Sequence, residues 1–213
     1  MKVLVIGAHL ERADIEPVAE ALPVGDLWLS GMPVADDQPV GDRALLLRVA
    51  QTRASLLDRG TFIAIRYGFT AHASSDAMAK CAAHLDRWGR TLQECRGMVE
   101  MTLKVAASSP QARPDRHDFA SGAAYFRALH DATRAASIDP LFRETVEKNL
   151  VPLAVKNRWS NRDNASLEFA MLLQRESIGA VNAAGAALKH DFVSVPFLLS
   201  GPWPLEVFAD DHE

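Results

Sequence analysis

The chain has 213 residues, 48% hydrophobic and 23% charged, with 23 basic and 27 acidic side chains and a formal net charge of −4. These values are close to those of an ordinary globular protein and disfavour disordered, collagen-like and membrane classes. The acidic balance, with no basic run, argues against nucleic acid as a partner, and no window approaches the ~20 apolar residues of a membrane span.

Val3–Ile6 reads as a buried first strand ended by Gly7. Residues 10–22 are ambiguous, because Ile15, Val18, Ala19 and Leu22 have helical spacing but Pro17 interrupts it. Gly25–Ser30 reads as a second strand, followed by a Pro- and Asp-rich loop to Pro39. A helix is predicted from Asp42 to Arg59, with Leu45, Val49 and Leu56 on its apolar stripe and Gly60 as the residue after its end. Thr61–Tyr67 reads as a third strand.

The next helix has the clearest pattern, with Ser74 or Ser75 as its cap and Asp76 in its first turn. Met78, Cys81, Leu85, Trp88, Leu92 and Cys95 recur at spacings of three and four, the pattern of a core-facing stripe. Cys81 and Cys95 stand about 21 Å apart along such a helix, too far to pair, and two free thiols fit a reducing compartment. A short apolar N-terminal run without a cleavage site adds to the expectation of a cytoplasmic protein. A fourth strand alternates, Val99, Met101, Leu103 and Val105 facing a core, Glu100, Thr102 and Lys104 facing water.

Residues 107–121, with Pro110 and Pro114, break the pattern. The expected fold class is α+β, built as two small mixed domains. An N-terminal domain of residues 1–108 is a ferredoxin-like variant, with helices on one face of a mostly antiparallel sheet. Residues 109–121 form a linker, and residues 122–213 a C-terminal α+β domain. In the latter, helices are predicted at 122–136, 140–149 and 176–189, and strands at 150–156, 165–173 and 192–199. That last strand leads into Gly201-Pro202-Trp203-Pro204.

No catalytic motif emerges. Gly7 is followed by no further glycine before Gly25, so the dinucleotide fingerprint fails, and neither a phosphate loop nor a nucleophile elbow is present. His9, His72, His84, His117, His130, His190 and His212 form no metal-ligand spacing. Asn164-Ala165-Ser166 is a formal glycosylation acceptor that a cytoplasmic protein does not use. Asp210, Asp211 and Glu213 form a solvated acidic tail. No cofactor, metal or enzymatic activity is expected.

Three stretches carry a resemblance. They are Ile65-Arg66-Tyr67-Gly68 at a strand end, Gly97-Met98-Val99-Glu100-Met101-Thr102-Leu103-Lys104-Val105, and Ser200-Gly201-Pro202-Trp203-Pro204 followed by Phe208. Together with Gly122-x-x-Tyr125-Phe126, their order and spacing resemble the GvpF/GvpL family of gas vesicle accessory proteins over about residues 55–208. The resemblance implies a non-enzymatic assembly factor that binds the hydrophobic gas vesicle shell protein, and other accessory proteins with it, aiding nucleation or growth. It also implies residence in the cytoplasm, associated with vesicles. Arg66, Gly68, Glu100, Lys104, Gly201, Pro202, Trp203 and Pro204 are the positions it marks, as structural or partner-binding residues.

Read physically, Arg66 and Glu100 either form a cross-strand ion pair or are each solvated. The prolines hold Trp203 in restricted backbone, where it either clamps the terminal strand to its own domain or docks a partner. The rival reading is a small-molecule-binding or enzymatic ferredoxin-like domain unrelated to gas vesicles, since that scaffold hosts many functions.

Overall fold

The computed structural model describes residues 2–39, 41–106, 115–134, 138–163 and 166–209. Residues 107–114, with the first part of the expected linker, the Asn164-Ala165 pair and the acidic tail lie outside the described residues. The chain is mixed α and β with antiparallel sheets, and it falls into two compact units. One comprises Met1–Glu100 with Trp203–Glu213, the other Met101–Pro202. The expected boundary at 109–121 is therefore not where the units part. The units part between Glu100 and Met101 and between Pro202 and Trp203.

In the first unit, β1 (Lys2–His9) is the centre of the sheet. It pairs antiparallel with β3 (Leu27–Val34), β4 (Ile63–Ala64) and β5 (Thr70–Ala71), and β2 (Glu20–Val24) pairs with β3. The ambiguous stretch 10–22 resolves into a short 3-10 turn at Arg12–Asp14 and then β2. Gly25 does not open a strand. It takes φ +61 in the two-residue turn between Val24 and Leu27, where only glycine is at ease with a left-handed backbone. β3 then runs on through Gly31–Val34, residues expected as loop.

Gly7 does not end β1 either. The register with β3 shifts between Val5 and Gly7, marking a bulge. A Cβ at Gly7 would collide with the Phe62 ring and meet the Ile63 carbonyl oxygen at 3.0 Å. Because both obstacles are fixed, Gly7→Ala is expected to cost about 1–3 kcal/mol, measured as a lower urea midpoint at unchanged slope.

α1 (Arg43–Arg59) starts at Asp42, whose carboxylate accepts the Ala44 N–H, and buries Leu45, Val49, Leu56 and Leu57. Gly60 caps its other end in extended rather than left-handed backbone. The long helix of the sequence reading is broken into α2 (Ser74–Cys81) and α3 (Leu85–Glu94) by a 3-10 turn at Ala82–His84. Neither serine caps it. Asp76 instead accepts the His72 N–H and the Lys80 ammonium. Within α2 the buried face runs through Ala77 and Cys81, which leaves Met78 exposed, while Leu92 and Cys95 are buried beyond the break. Neither cysteine is in a disulfide.

In the second unit the sheet has the order β7–β8–β6–β9, namely β7 (Lys156–Asp163), β8 (Ser166–Gln174), β6 (Met98–Ala106) and β9 (Phe197–Trp203). Its helices are α4 (Gly122–Arg134), α5 (Pro140–Leu150) and α6 (Ile178–Asp191). The strand expected at 150–156 is a 3-10 turn, and the true strand starts at Lys156. Phe142 of α5 packs edge-on against Phe192 at 5.1 Å and tilted against Phe197 at 5.3 Å. Asp139 caps α5, accepting the Leu141 and Phe142 N–H groups ahead of a first-turn proline. Asp139→Ala is expected to cost about 1 kcal/mol, seen as a small drop in melting temperature.

β6 is interior to its sheet, and the face expected to be wet is not. Glu100 is 1% exposed and Thr102 7%. The Thr102 hydroxyl lies 3.0 Å from that of Ser200.

Candidate functional site

The end of the described chain forms part of the first unit. Pro204 and Leu205 are buried, and Leu205 makes a parallel bridge to Ile63 beside β4. Its N–H donates to Phe62 O at 2.9 Å, and its carbonyl accepts from the Ala64 N–H at 2.9 Å. The next residues turn their backbone towards one side chain. The N–H groups of Glu206 and Phe208 donate to Glu100 Oε1 at 2.9 and 2.8 Å, and that of Val207 to Oε2 at 2.9 Å. Successive backbone N–H groups of this kind form a concavity for an anion, and the anion here is the protein's own carboxylate. Burial pushes the Glu100 carboxyl above its ordinary value, while the N–H groups of Phe208, Val207 and Glu206 pull it down and the neighbouring Glu206 charge pushes it up.

This terminal segment forms one wall of a cavity of about 630 Å³ within the unit, contributing Glu206 and Ala209. A second wall is the stretch from Ile63 to Tyr67 with Phe69, ending at Gly68 with φ +94. The third comes from α2, α3 and the turn between them, through Lys80, Cys81, His84, Arg87 and Trp88, and α1 adds Arg53. Lys80, His84 and Arg87 recur at spacings of four and three, which brings them to one side of that helical stretch.

The cations are held in different ways. Arg53 Nη2 donates to the Ile65 carbonyl, and burial pulls its pKa down against the nearby Glu206 charge. Lys80 donates to Thr70 O at 2.9 Å and to Asp76 at 3.0 Å. Arg87 Nη2 lies 3.0 Å from His84 Nδ1, and the His84 ring stacks on Trp88 at 5.3 Å. Arg66 is exposed, and its side chain makes no hydrogen bond or ion pair among the described residues.

The marked positions therefore divide. Arg66, Gly68, Glu100, Trp203 and Pro204 belong to the first unit, and Lys104, Gly201 and Pro202 to the second. Arg66 and Glu100 do not pair, because backbone donors take the Glu100 carboxylate. Lys104 reaches the buried Glu168 at 3.7 Å instead of standing free in water. Gly201 has φ +129, and the Gly201–Pro202 bond is cis. Trp203 is 47% exposed, so it does not clamp the segment, a task that falls to Glu100, Leu205 and Phe208. Arg53, Lys80, Arg87 and Trp88 were not singled out as site residues. The spacing of Lys80, His84 and Arg87 is the signal that would have found three lining residues of the third wall. Among the described residues, no group of three or more His, Cys, Asp or Glu side chains is placed to hold a metal, and no helix is long and apolar enough to cross a membrane.

A family model described as gas vesicle synthesis protein GvpL/GvpF matches residues 16–209. The chain belongs to the GvpL/GvpF family. Membership supports a role in gas vesicles and agrees with the resemblance carried by the three sequence stretches. No curated protein matches the chain in sequence. Two crystal structures share its fold. Gas vesicle protein GvpF from Microcystis aeruginosa is similar at a TM-score of 0.74 with 9% identity, over 98% of this chain and 99% of that one. GvpF from Anabaena sp. PCC7120 is similar at a TM-score of 0.71 with 12% identity, over 98% and 96%. At such identities the likeness speaks for the GvpL/GvpF fold and not for individual side chains.

Proposed function

We propose that this GvpL/GvpF protein is a non-enzymatic accessory factor of gas vesicle assembly. It binds the hydrophobic shell protein, aids nucleation or growth of the vesicle, and works in the cytoplasm in association with the forming vesicle. The observation that carries this reading is the family match over residues 16–209. A factor of this kind must cover apolar surface on its client until the client assembles. Trp203 supports the reading, being large, apolar, 47% exposed and set between Pro202 and the buried Pro204. A side chain on restricted backbone loses little entropy when it docks.

The test is co-expression of the tagged protein with the shell protein, followed by affinity capture. Capture is expected from the wild type and, for an aromatic anchor, is expected to fall about tenfold or more in Trp203→Ala. Absence of any complex, together with normal vesicles after deletion of the gene, overturns the reading.

A further inference from the structure

We propose that the cavity of the first unit binds a phosphate ester of a planar ring, a ligand of the nucleotide class. This site is separate from the shell-protein reading and stands or falls independently of it. One of the three stretches that carry the family resemblance reaches the cavity directly, through Arg66, and a second supplies Glu100, which fixes the backbone of the lining residue Glu206. Segments far apart in sequence thus converge on one concavity.

Its charge runs against that of the chain. Arg53, Arg66, Lys80 and Arg87 face Glu206 as the lone carboxylate among the lining residues, in a protein of net charge −4. A cleft lined by one sign of charge concentrates ligands of the other. The guanidinium fork matches phosphate oxygens better than an ammonium does. Arg66 is exposed and without an ion pair among the described residues, and the buried Nε of Arg53 has no hydrogen-bond partner there. Lys80 is already positioned by Asp76 and Thr70, so its order costs nothing further on binding.

The rest of the wall is not polar. Tyr67 and Trp88 are half-buried, and Ile63, Ile65 and Phe69 continue an apolar surface beside the cations. Cationic and aromatic walls together select an anion carrying a ring over a bare oxyanion. The volume of about 630 Å³ lies in the range of small-ligand sites, which favours a small molecule over an acidic protein segment.

Isothermal titration of the whole protein with ATP, pyrophosphate, adenosine and a short Asp/Glu-rich peptide tests the assignment. Saturable binding of ATP is expected, with pyrophosphate and adenosine each weaker by about tenfold or more. Arg66→Ala is expected to weaken ATP about tenfold, with an unchanged melting temperature because the side chain is exposed. If that variant proves less stable, Arg66→Lys, which keeps the charge and loses the fork, must still weaken ATP. Arg48→Ala, in a second cavity of the same unit, is expected to bind as the wild type does. No saturable binding of ATP at ~5 mM, an affinity indifferent to both Arg66 variants, pyrophosphate binding as tightly as ATP, or the acidic peptide binding more tightly than ATP would each overturn it.

Discussion

Replacing Glu100 by alanine is expected to destabilise the first unit by about 3–5 kcal/mol, a large fraction of a domain's stability. The variant removes both acceptor oxygens and strands the N–H groups of Glu206, Val207 and Phe208. A buried donor without a partner costs about 1–3 kcal/mol, and Phe208 sits in the core at 2% exposure. Glu100→Gln separates the oxygens from the charge. Its amide oxygen still serves two donors, and it sheds a buried negative charge, so it is expected to cost much less than alanine. The pH dependence has a definite sign. A carboxyl raised on folding contributes stability that is present below its ordinary value and lost as pH rises through its raised one. Wild type should therefore gain stability relative to Glu100→Gln as pH falls from neutral into the ordinary carboxylate range. Denaturant unfolding of both variants across that range is the measurement, and equal losses in alanine and glutamine would show that the charge itself is the anchor.

Acidification is expected to unfold the protein through His9. The ring is fully buried, stacks on Phe62 at 5.0 Å, and lies with Nε2 2.9 Å from Ser30 Oγ. Ser30 has one hydroxyl proton and gives it to the Gly7 carbonyl at 3.3 Å. Nε2 must then carry the hydrogen and donate to Ser30, which leaves Nδ1 as the bare nitrogen. Nδ1 has no hydrogen-bond partner among the described residues, so a proton arriving there brings a charge with nothing to receive it. Burial accordingly lowers the His9 pKa from 6.5 to about 3. The folded value lies below the unfolded one, so stability is present above pH 6.5 and lost as pH falls towards 3. At about 1.4 kcal/mol per pH unit, the loss is about 2 kcal/mol at pH 5 and about 4 kcal/mol by pH 3. His9→Gln keeps a donor for Ser30 and cannot titrate. Its unfolding midpoint should vary much less over this range, and a wild-type slope retained in the variant would remove His9 as the cause.

These two residues mark where the sequence is legible and where it is not. α1 could be read because its determinants are local: Asp42 as cap, then Leu45, Val49 and Leu56 at helical spacing. β6 could be read as a strand from its alternation, but not the burial of its second face. The partners of Glu100 lie more than a hundred residues on, and that of Thr102 lies 98 residues on, so no window of sequence contains them. β7 was missed because an edge strand needs no apolar alternation. Its run Lys-Asn-Arg-Trp-Ser-Asn-Arg-Asp is the polar, charged edge that discourages pairing with another chain. The Gly201-Pro202-Trp203-Pro204 stretch announced restricted backbone through its prolines. Whether Trp203 would be covered depended on tertiary packing, which placed Leu205 and Phe208 inwards instead.

The first unit is discontinuous, closed by residues that follow the whole of the second. On the ribosome, Glu100 emerges 106 residues ahead of its first backbone donor, Glu206. At roughly 5–20 residues per second, that is about 5–20 s during which the carboxylate has no N–H groups to bind and β4 has no Leu205 beside it. The second unit is complete once Pro202 has been made, four residues before Glu206, whereas the unit made first must wait for the segment that follows. A released chain truncated after Pro202 should therefore display a protease-sensitive beginning and a protected middle.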